Sequence, residues 1–172
     1  MKAILIINNK EIEVEISQKE LNKLQTTKKK KTGYERVVVD DEYYYVDSKG
    51  DVRWQPDDDV YFDGGCYDTA NYYSSETVAQ NNARADQLMR QLRRFAAEHR
   101  EQELDWTSQM QGKYHISYYW RDDGDEVLGL YQSWTTRTFG DIYFDSQETA
   151  QLAIDTFHDE LIWYFTEYKD SL

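Results

Sequence analysis

The sequence predicts an α+β protein, in which a small N-terminal ββα unit is tethered to a larger domain of antiparallel strands packed with two long helices. Three observations lead there. Short alternating or aromatic runs separated by Asn, Asp and Gly turns recur along the chain, as in hairpins. Two longer stretches instead place apolar residues at spacings of three, four and seven, as on one face of a helix. Fifteen Tyr, six Phe and five Trp with a single Pro in 172 residues give the aromatic density of a packed core rather than of a disordered chain. That length suits one substantial domain plus a smaller unit, and it can bury a core without disulfides.

In chain order, Ala3 to Ile7 and Glu11 to Ile16 flank Asn8-Asn9, and the second run alternates Ile12, Val14 and Ile16 against Glu11, Glu13 and Glu15. The pair reads as a half-buried hairpin. Ser17 followed by Glu20 is a capping box: the hydroxyl accepts from an early helix N–H, the Glu reaches back, and Leu21 and Leu24 then face the hairpin. This ββα unit occupies residues 1–26. A Lys-rich linker follows over 27–33, where Lys28, Lys29, Lys30 and Lys31 repel one another and stay solvated. The acidic α+β domain takes residues 34–172.

Within that domain, Tyr34 to Val39, Tyr43 to Val46 and Asp51 to Trp54 are strand-like runs broken by turn residues, predicting a meander. Gln55 to Thr69 hold the only Pro, Asp57-Asp58-Asp59 and Asp63-Gly64-Gly65, and read as an acidic loop with one short strand at Val60 to Phe62. From Ser75 to about Glu103 the pattern is helical, with Val78, Ala85, Leu88, Met89, Leu92, Phe95 and Ala96 on one stripe and Ser74 or Ser75 as cap. Further strands are expected at Lys113 to Trp120, Glu126 to Ser133 and Arg137 to Phe144, the first two joined by an Asp-Gly turn. Ser146 caps the last helix, whose stripe runs from Ala150 through Ala153, Ile154, Phe157, Leu161 and Phe165 to Tyr168. Tyr72-Tyr73-Ser74-Ser75 lines up with Tyr143-Phe144-Asp145-Ser146 at an offset of 71. The match suggests a strand-strand-helix unit present twice, the alternative being one cap chemistry reached independently.

Charge is unevenly placed. Residues 1–33 carry eight Lys against four Glu, whereas 34–172 carry twelve Lys or Arg against twenty-nine Asp or Glu, and the whole chain is −13. Self-repulsion on this scale opposes folding, and solubility needs less, so the field suits a basic partner. Cys66 is the lone cysteine and has no disulfide partner in the chain, which favours a reducing compartment. With only Ala3 to Ile7 as an N-terminal apolar run, no signal core or membrane span is expected and the location expected is cytoplasmic.

No enzymatic signature emerges, and no catalytic residue, cofactor or metal is expected. His99 suits a helix C-terminus, His115 sits in an alternating strand, and His158 lies three residues from Asp155 without a third ligand. Cys66 reads as a small structural residue rather than a nucleophile. Asp57, Asp58, Asp59, Asp63 and Asp68 fail the calcium-loop pattern, which needs Gly where Phe62 stands and Glu where Asp68 stands. Acidic clusters instead recur at turns: Asp40-Asp41-Glu42, Asp57 to Asp59 with Asp63, and Asp122-Asp123-Asp125-Glu126. If these tips share a side, they form a negative row suited to a DNA-binding cleft. The partner-binding candidates are therefore Asp57, Asp58, Asp59, Asp63, Asp122, Asp123, Asp125 and Glu126, with Tyr61 and Trp120 as aromatic anchors and Tyr67 and Trp134 as further ones. Arg84, Arg90, Arg93, Arg94 and Arg100 share the first long helix, where an internal ion-pair network or a dimer contact is expected ahead of nucleic-acid binding.

The opening KAILIINNKEIEVEIS, the Lys run before TGYERV, YYYVDSKGDV, ANYYSSETVAQ, MRQLRRFAAEHR and the closing GDIYFDSQETAQLAIDTFHDELIWYFTEY resemble, over the whole chain, a group of small proteins encoded by phages and prophages of low-GC Gram-positive bacteria. The resemblance carries no active site. It implies counter-defence: an anti-CRISPR type inhibitor, acting as a DNA mimic that binds a host defence protein such as Cas9, with or without guide RNA, and occupies a basic nucleic-acid or interdomain groove. Binding to membranes or free DNA is not expected, and a homodimer is left open. The alternative is a phage nucleic-acid-binding or regulatory protein using the Lys run and the Arg-rich helix.

Overall fold

A computed structural model describes residues 2–7, 10–15, 17, 31–120 and 126–172, which fall into two units, Met1–Thr32 and Gly33–Leu172. In the first, β1 (Lys2–Ile7) pairs antiparallel with β2 (Lys10–Glu15), Ile7 opposite Lys10 and Lys2 opposite Glu15. The helix expected after Ser17 and the lysines at 28–30 lie outside the described residues.

The second unit is α+β and contains one local design twice. In the first copy, β3 (Glu42–Val46) and β4 (Val52–Pro56) form an antiparallel hairpin. Its turn is set by the Asp47 carboxylate, which accepts from the N–H groups of Lys49 and Asp51, and by Gly50 at φ +93°, a region that suits glycine. Tyr73 lies beside β3 and exchanges both backbone hydrogen bonds with Tyr44, at 2.8 and 2.9 Å. Two residues later Ser75 opens a helix by accepting from the Val78 N–H. In the second copy, β5 (Lys113–Trp120) pairs with β6 (Glu126–Ser133). Phe144 exchanges both bonds with Tyr114, at 3.0 and 2.8 Å, and Ser146 caps the next helix through Thr149 N–H. Ala79 and Ala150, each four residues past its cap serine, are both fully buried. The local match at an offset of 71 is thus a structural repeat.

Among the described residues four helices accompany the strands: α1 (Tyr61–Asp68), α2 (Glu76–Glu98), α3 (Gln147–Thr156) and α4 (His158–Thr166). The long α2 serves both copies. Val78 and Ala79 in its first turns pack with Tyr73, while Leu88, Leu92 and Ala96 further along join Phe144, Ala150, Ala153, Ile154 and Leu161 in the largest apolar cluster. The stripe at spacings of three and four therefore does what its periodicity predicts.

Five expectations are corrected. Tyr34 to Val39 is not a strand: Val37 N–H donates to the Tyr72 hydroxyl rather than to a ladder, and Asp40 turns the chain at φ +77°. The acidic loop with a strand at Val60 to Phe62 is α1, made possible because Asp63 reaches back to accept from the N–H groups of Val60 and Asp58. Helix α2 stops at Glu98 instead of Glu103, since Asp145 takes the N–H groups of Glu101 and Gln102 at 2.7 and 3.0 Å. Arg137 to Phe144 contributes only Phe144 to a ladder, because Thr138 N–H donates to the Tyr143 hydroxyl and curls the segment on itself. The last helix breaks at Phe157 (φ −113°, ψ +22°), where the ring meets Phe95 edge-on at 5.6 Å.

Candidate binding surfaces

Two carboxylates predicted to face a partner are interior. Asp57, just past the end of β4, is fully buried and accepts from Arg36 Nε at 2.9 Å and Nη2 at 3.2 Å, from the Tyr72 hydroxyl at 2.8 Å and from Asp59 N–H at 2.9 Å. The Arg36 bond, with the other donors, holds its pKa down to about 2 and raises that of the guanidinium. Asp63, also fully buried, accepts from Tyr43 hydroxyl (2.8 Å), Gln55 Nε2 (2.7 Å) and the N–H groups of Asp58 and Val60. Burial opposes its charge, but these four donors outweigh burial and its pKa is lowered. Tyr43 and Tyr72 stack at 4.0 Å between the two carboxylates, and burial pushes the Tyr72 phenol up to about 12. A buried carboxylate persists only with this many donors, so Asp57 and Asp63 are structural and drop out of any docking surface. Cys66 packs in the same cluster with its thiol pushed up by burial, the opposite of an activated nucleophile.

The interior frame nevertheless brings exposed acids together. Asp40 N–H donates to the Asp57 carbonyl at 2.9 Å and Asp57 N–H to the Asp41 carbonyl at 3.0 Å. This seam sets Asp40, Asp41 and Glu42 alongside Asp58 and Asp59, all five exposed. Asp40 and Asp59 both have positive φ, 77° and 56°, which Asp tolerates better than most residues. Arg36 reaches across to Asp59 at 2.8 Å and fixes that side chain without covering it. Apolar groups flank the acids: Tyr61 is 97% exposed, and Val38, Val39, Val60 and Phe62 are all exposed. Tyr67 and Trp134 are also exposed. Asp122, Asp123 and Asp125, with the side chains of Trp120 and Glu126, lie outside the described residues.

The arginines behave differently from the network expected of them. Arg84 forks onto Glu160 at 2.8 and 3.0 Å and lies 3.9 Å over the Trp163 ring, and Arg94 comes only to 3.9 Å from Glu98. Among the described residues Arg90, Arg93 and Arg100 have no carboxylate within 4.0 Å. Arg93 in the last turns of α2 and Arg100 just past its C-terminal cap instead line a cleft of about 470 Å³ together with Trp106 and Arg137. Their seven-residue spacing was visible in the sequence; Arg137 and Trp106 join them only through the fold. His158 meets Asp159 rather than Asp155, which accepts from Gln151. Among the described residues no group of three or more His, Cys, Asp or Glu is placed to hold a metal ion, and no helix is long and apolar enough to cross a membrane.

Comparison with protein-family models, with curated proteins and with solved structures finds no match.

Proposed function

We propose that this protein works by stoichiometric binding, its acidic and aromatic ridge occupying a basic groove of a nucleic-acid-handling partner, and that the partner is a host defence nuclease of the Cas9 type. One observation carries the reading: Asp40, Asp41, Glu42, Asp58 and Asp59 meet along one backbone seam beside an almost fully exposed Tyr61. Carboxylates steer the encounter with a basic groove, and exposed aromatics supply the desolvated contacts that hold it. The ridge is held by buried carboxylates, so little ordering cost remains to be met on binding.

The test is a pull-down and nuclease assay against a panel of Cas9 proteins, with and without guide RNA, using the wild type and a variant carrying Asp58→Asn, Asp41→Asn and Tyr61→Ala. Inhibition by the wild type that weakens at least tenfold in the variant, with unchanged circular dichroism, is the expected result. Failure to bind any member of the panel excludes those targets. A steep salt-dependent shift of free DNA by the wild type would favour the regulatory alternative instead.

A further inference from the structure

We infer that the cleft between α2 and the segments around Trp106 and Arg137 is a binding site for a phosphorylated small molecule of nucleotide size. The site lies apart from the acidic ridge in sequence and stands or falls independently of the function proposed for it.

Residues 34–172 carry twenty-nine carboxylates against twelve Lys or Arg, so a carboxylate partner is easy to find for any arginine. Arg36, Arg53 and Arg84 have found theirs. Arg93, Arg100 and Arg137 have none within 4.0 Å among the described residues, although Glu103 and Asp141 line the same cleft. Three unpaired guanidinium groups around one concavity leave a cluster of fork-shaped donors unused, and such forks match phosphate oxygens.

Shape and surroundings narrow the ligand. The cleft of about 470 Å³ is of the size that holds small molecules. Ala96 and Ala97 in the last turn of α2 stand between Arg93 and Arg100, which follows the helix end, and their short side chains leave the space open. The Arg137 guanidinium carbon is 5.6 Å from the centroid of the Trp106 ring, which helps to hold the fork in place. Lys113 also approaches this ring, at 5.5 Å, but its ammonium is spent on the carbonyls of Ser108, Gln111 and Trp134. Glu103 and Asp141 oppose a bare anion but would accept hydrogen bonds from hydroxyl or amino groups, so a phosphate attached to a sugar or base fits better than inorganic phosphate. A nucleic-acid strand fits worse. Its successive phosphates would extend beyond a Debye length of about 8 Å into the field of a strongly acidic surface.

Isothermal titration calorimetry of the full chain at physiological salt tests this with four probes: AMP, adenosine, inorganic phosphate and a single-stranded DNA oligonucleotide. AMP should bind at least tenfold more tightly than adenosine or phosphate. Arg100→Ala and Arg137→Ala should each weaken it about tenfold or more, and Arg100→Lys, which keeps the charge and loses the fork, should weaken it less. Arg94→Ala, next to Arg93 on α2 but outside the cleft, should bind as the wild type does. Thermal melting checks the fold of each variant, and Arg137→Lys replaces Arg137→Ala should the latter melt early. AMP binding no tighter than phosphate, oligonucleotide binding without AMP binding, or unchanged AMP affinity in both folded Arg100 variants would each overturn the assignment.

Discussion

The two copies of the hairpin, aromatic bridge and capped helix share a backbone plan but have opposite interiors. One residue before the bridging Tyr44 stands Tyr43, fully buried and donating to the carboxylate of Asp63; one residue before the bridging Tyr114 stands Lys113, fully buried and donating to three carbonyls. The first copy is thus built on two fully buried anions served by tyrosines and Arg36, whereas the second has a fully buried cation and a mainly aliphatic core, its one buried carboxylate, Asp145, being spent on the N–H groups of Glu101 and Gln102. A shared backbone plan fixes where side chains meet but leaves the charge of the interior free, and the first copy spends that freedom on holding an acidic ridge in place. Each buried charge is tolerable only because it is fully served, so removing it exposes its partners to the cost of having none.

The largest expected effect breaks the second copy. Lys113→Met keeps most of the stem volume and removes every donor, leaving the carbonyls of Ser108, Gln111 and Trp134 without their partner. A loss of about 3 kcal/mol is expected at pH 7, since water can reach part of the 105–112 loop. Denaturant midpoints measure it. A loss below about 1 kcal/mol would mean that the loop simply rehydrates, and that the buried lysine is not what organises this copy.

The first copy should instead be sensitive to acid. The pKa of Asp57 is lowered to about 2 in the folded protein, chiefly by the Arg36 hydrogen bond, against roughly 3.9 when unfolded. A depressed folded value stabilises fully above the unfolded pKa, and the contribution is lost as pH falls from about 4 toward 2. Discounted for the solvent around Arg36, it amounts to about 2 kcal/mol, and Asp63 acts in the same direction. Asp57→Asn should therefore be less stable than the wild type at pH 7, with the gap between them closing as pH falls through that window. A gap that stays constant down to pH 2 would show that the carboxylate's charge is not what this copy depends on.

What the sequence revealed and what it hid divide along the same line. Periodicity and cap chemistry are local, so the bounds of β5 and β6, the caps Ser75 and Ser146 and the stripe of α2 were all legible. Buried charge was not. Asp57 looked like part of a solvated triplet because its chief partner, Arg36, lies 21 residues away, and nothing around Lys113 in the chain distinguishes it from an exposed strand lysine. Helix α1 was missed for the same reason: an acidic, glycine-containing stretch reads as a loop unless Asp63 is known to turn inward. The exposed half of the ridge was legible as clusters, but the seam joining Asp40–Glu42 to Asp58 and Asp59 arises from backbone pairing that no local pattern encodes.

The smallest expected effect sharpens the comparison most, because it probes the one feature the copies should share. Ser75→Ala and Ser146→Ala each remove an N-cap acceptor, at a typical cost of about 1 kcal/mol. The bonds differ in length, 3.5 Å from Val78 N to Ser75 Oγ and 3.1 Å from Thr149 N to Ser146 Oγ, and Ser146 also donates to the Thr149 hydroxyl at 3.0 Å. The Ser146 substitution should accordingly cost more, roughly 1–1.5 kcal/mol against about 0.5 for Ser75. In a unit of this size that separates the melting temperatures by a few degrees. The caps serve different helices and share no partner, so the double variant should show the sum of the two losses. Equal losses would mean that helix capping is insensitive to the difference in bond length, leaving the two copies alike at their caps and different only in the charge they bury.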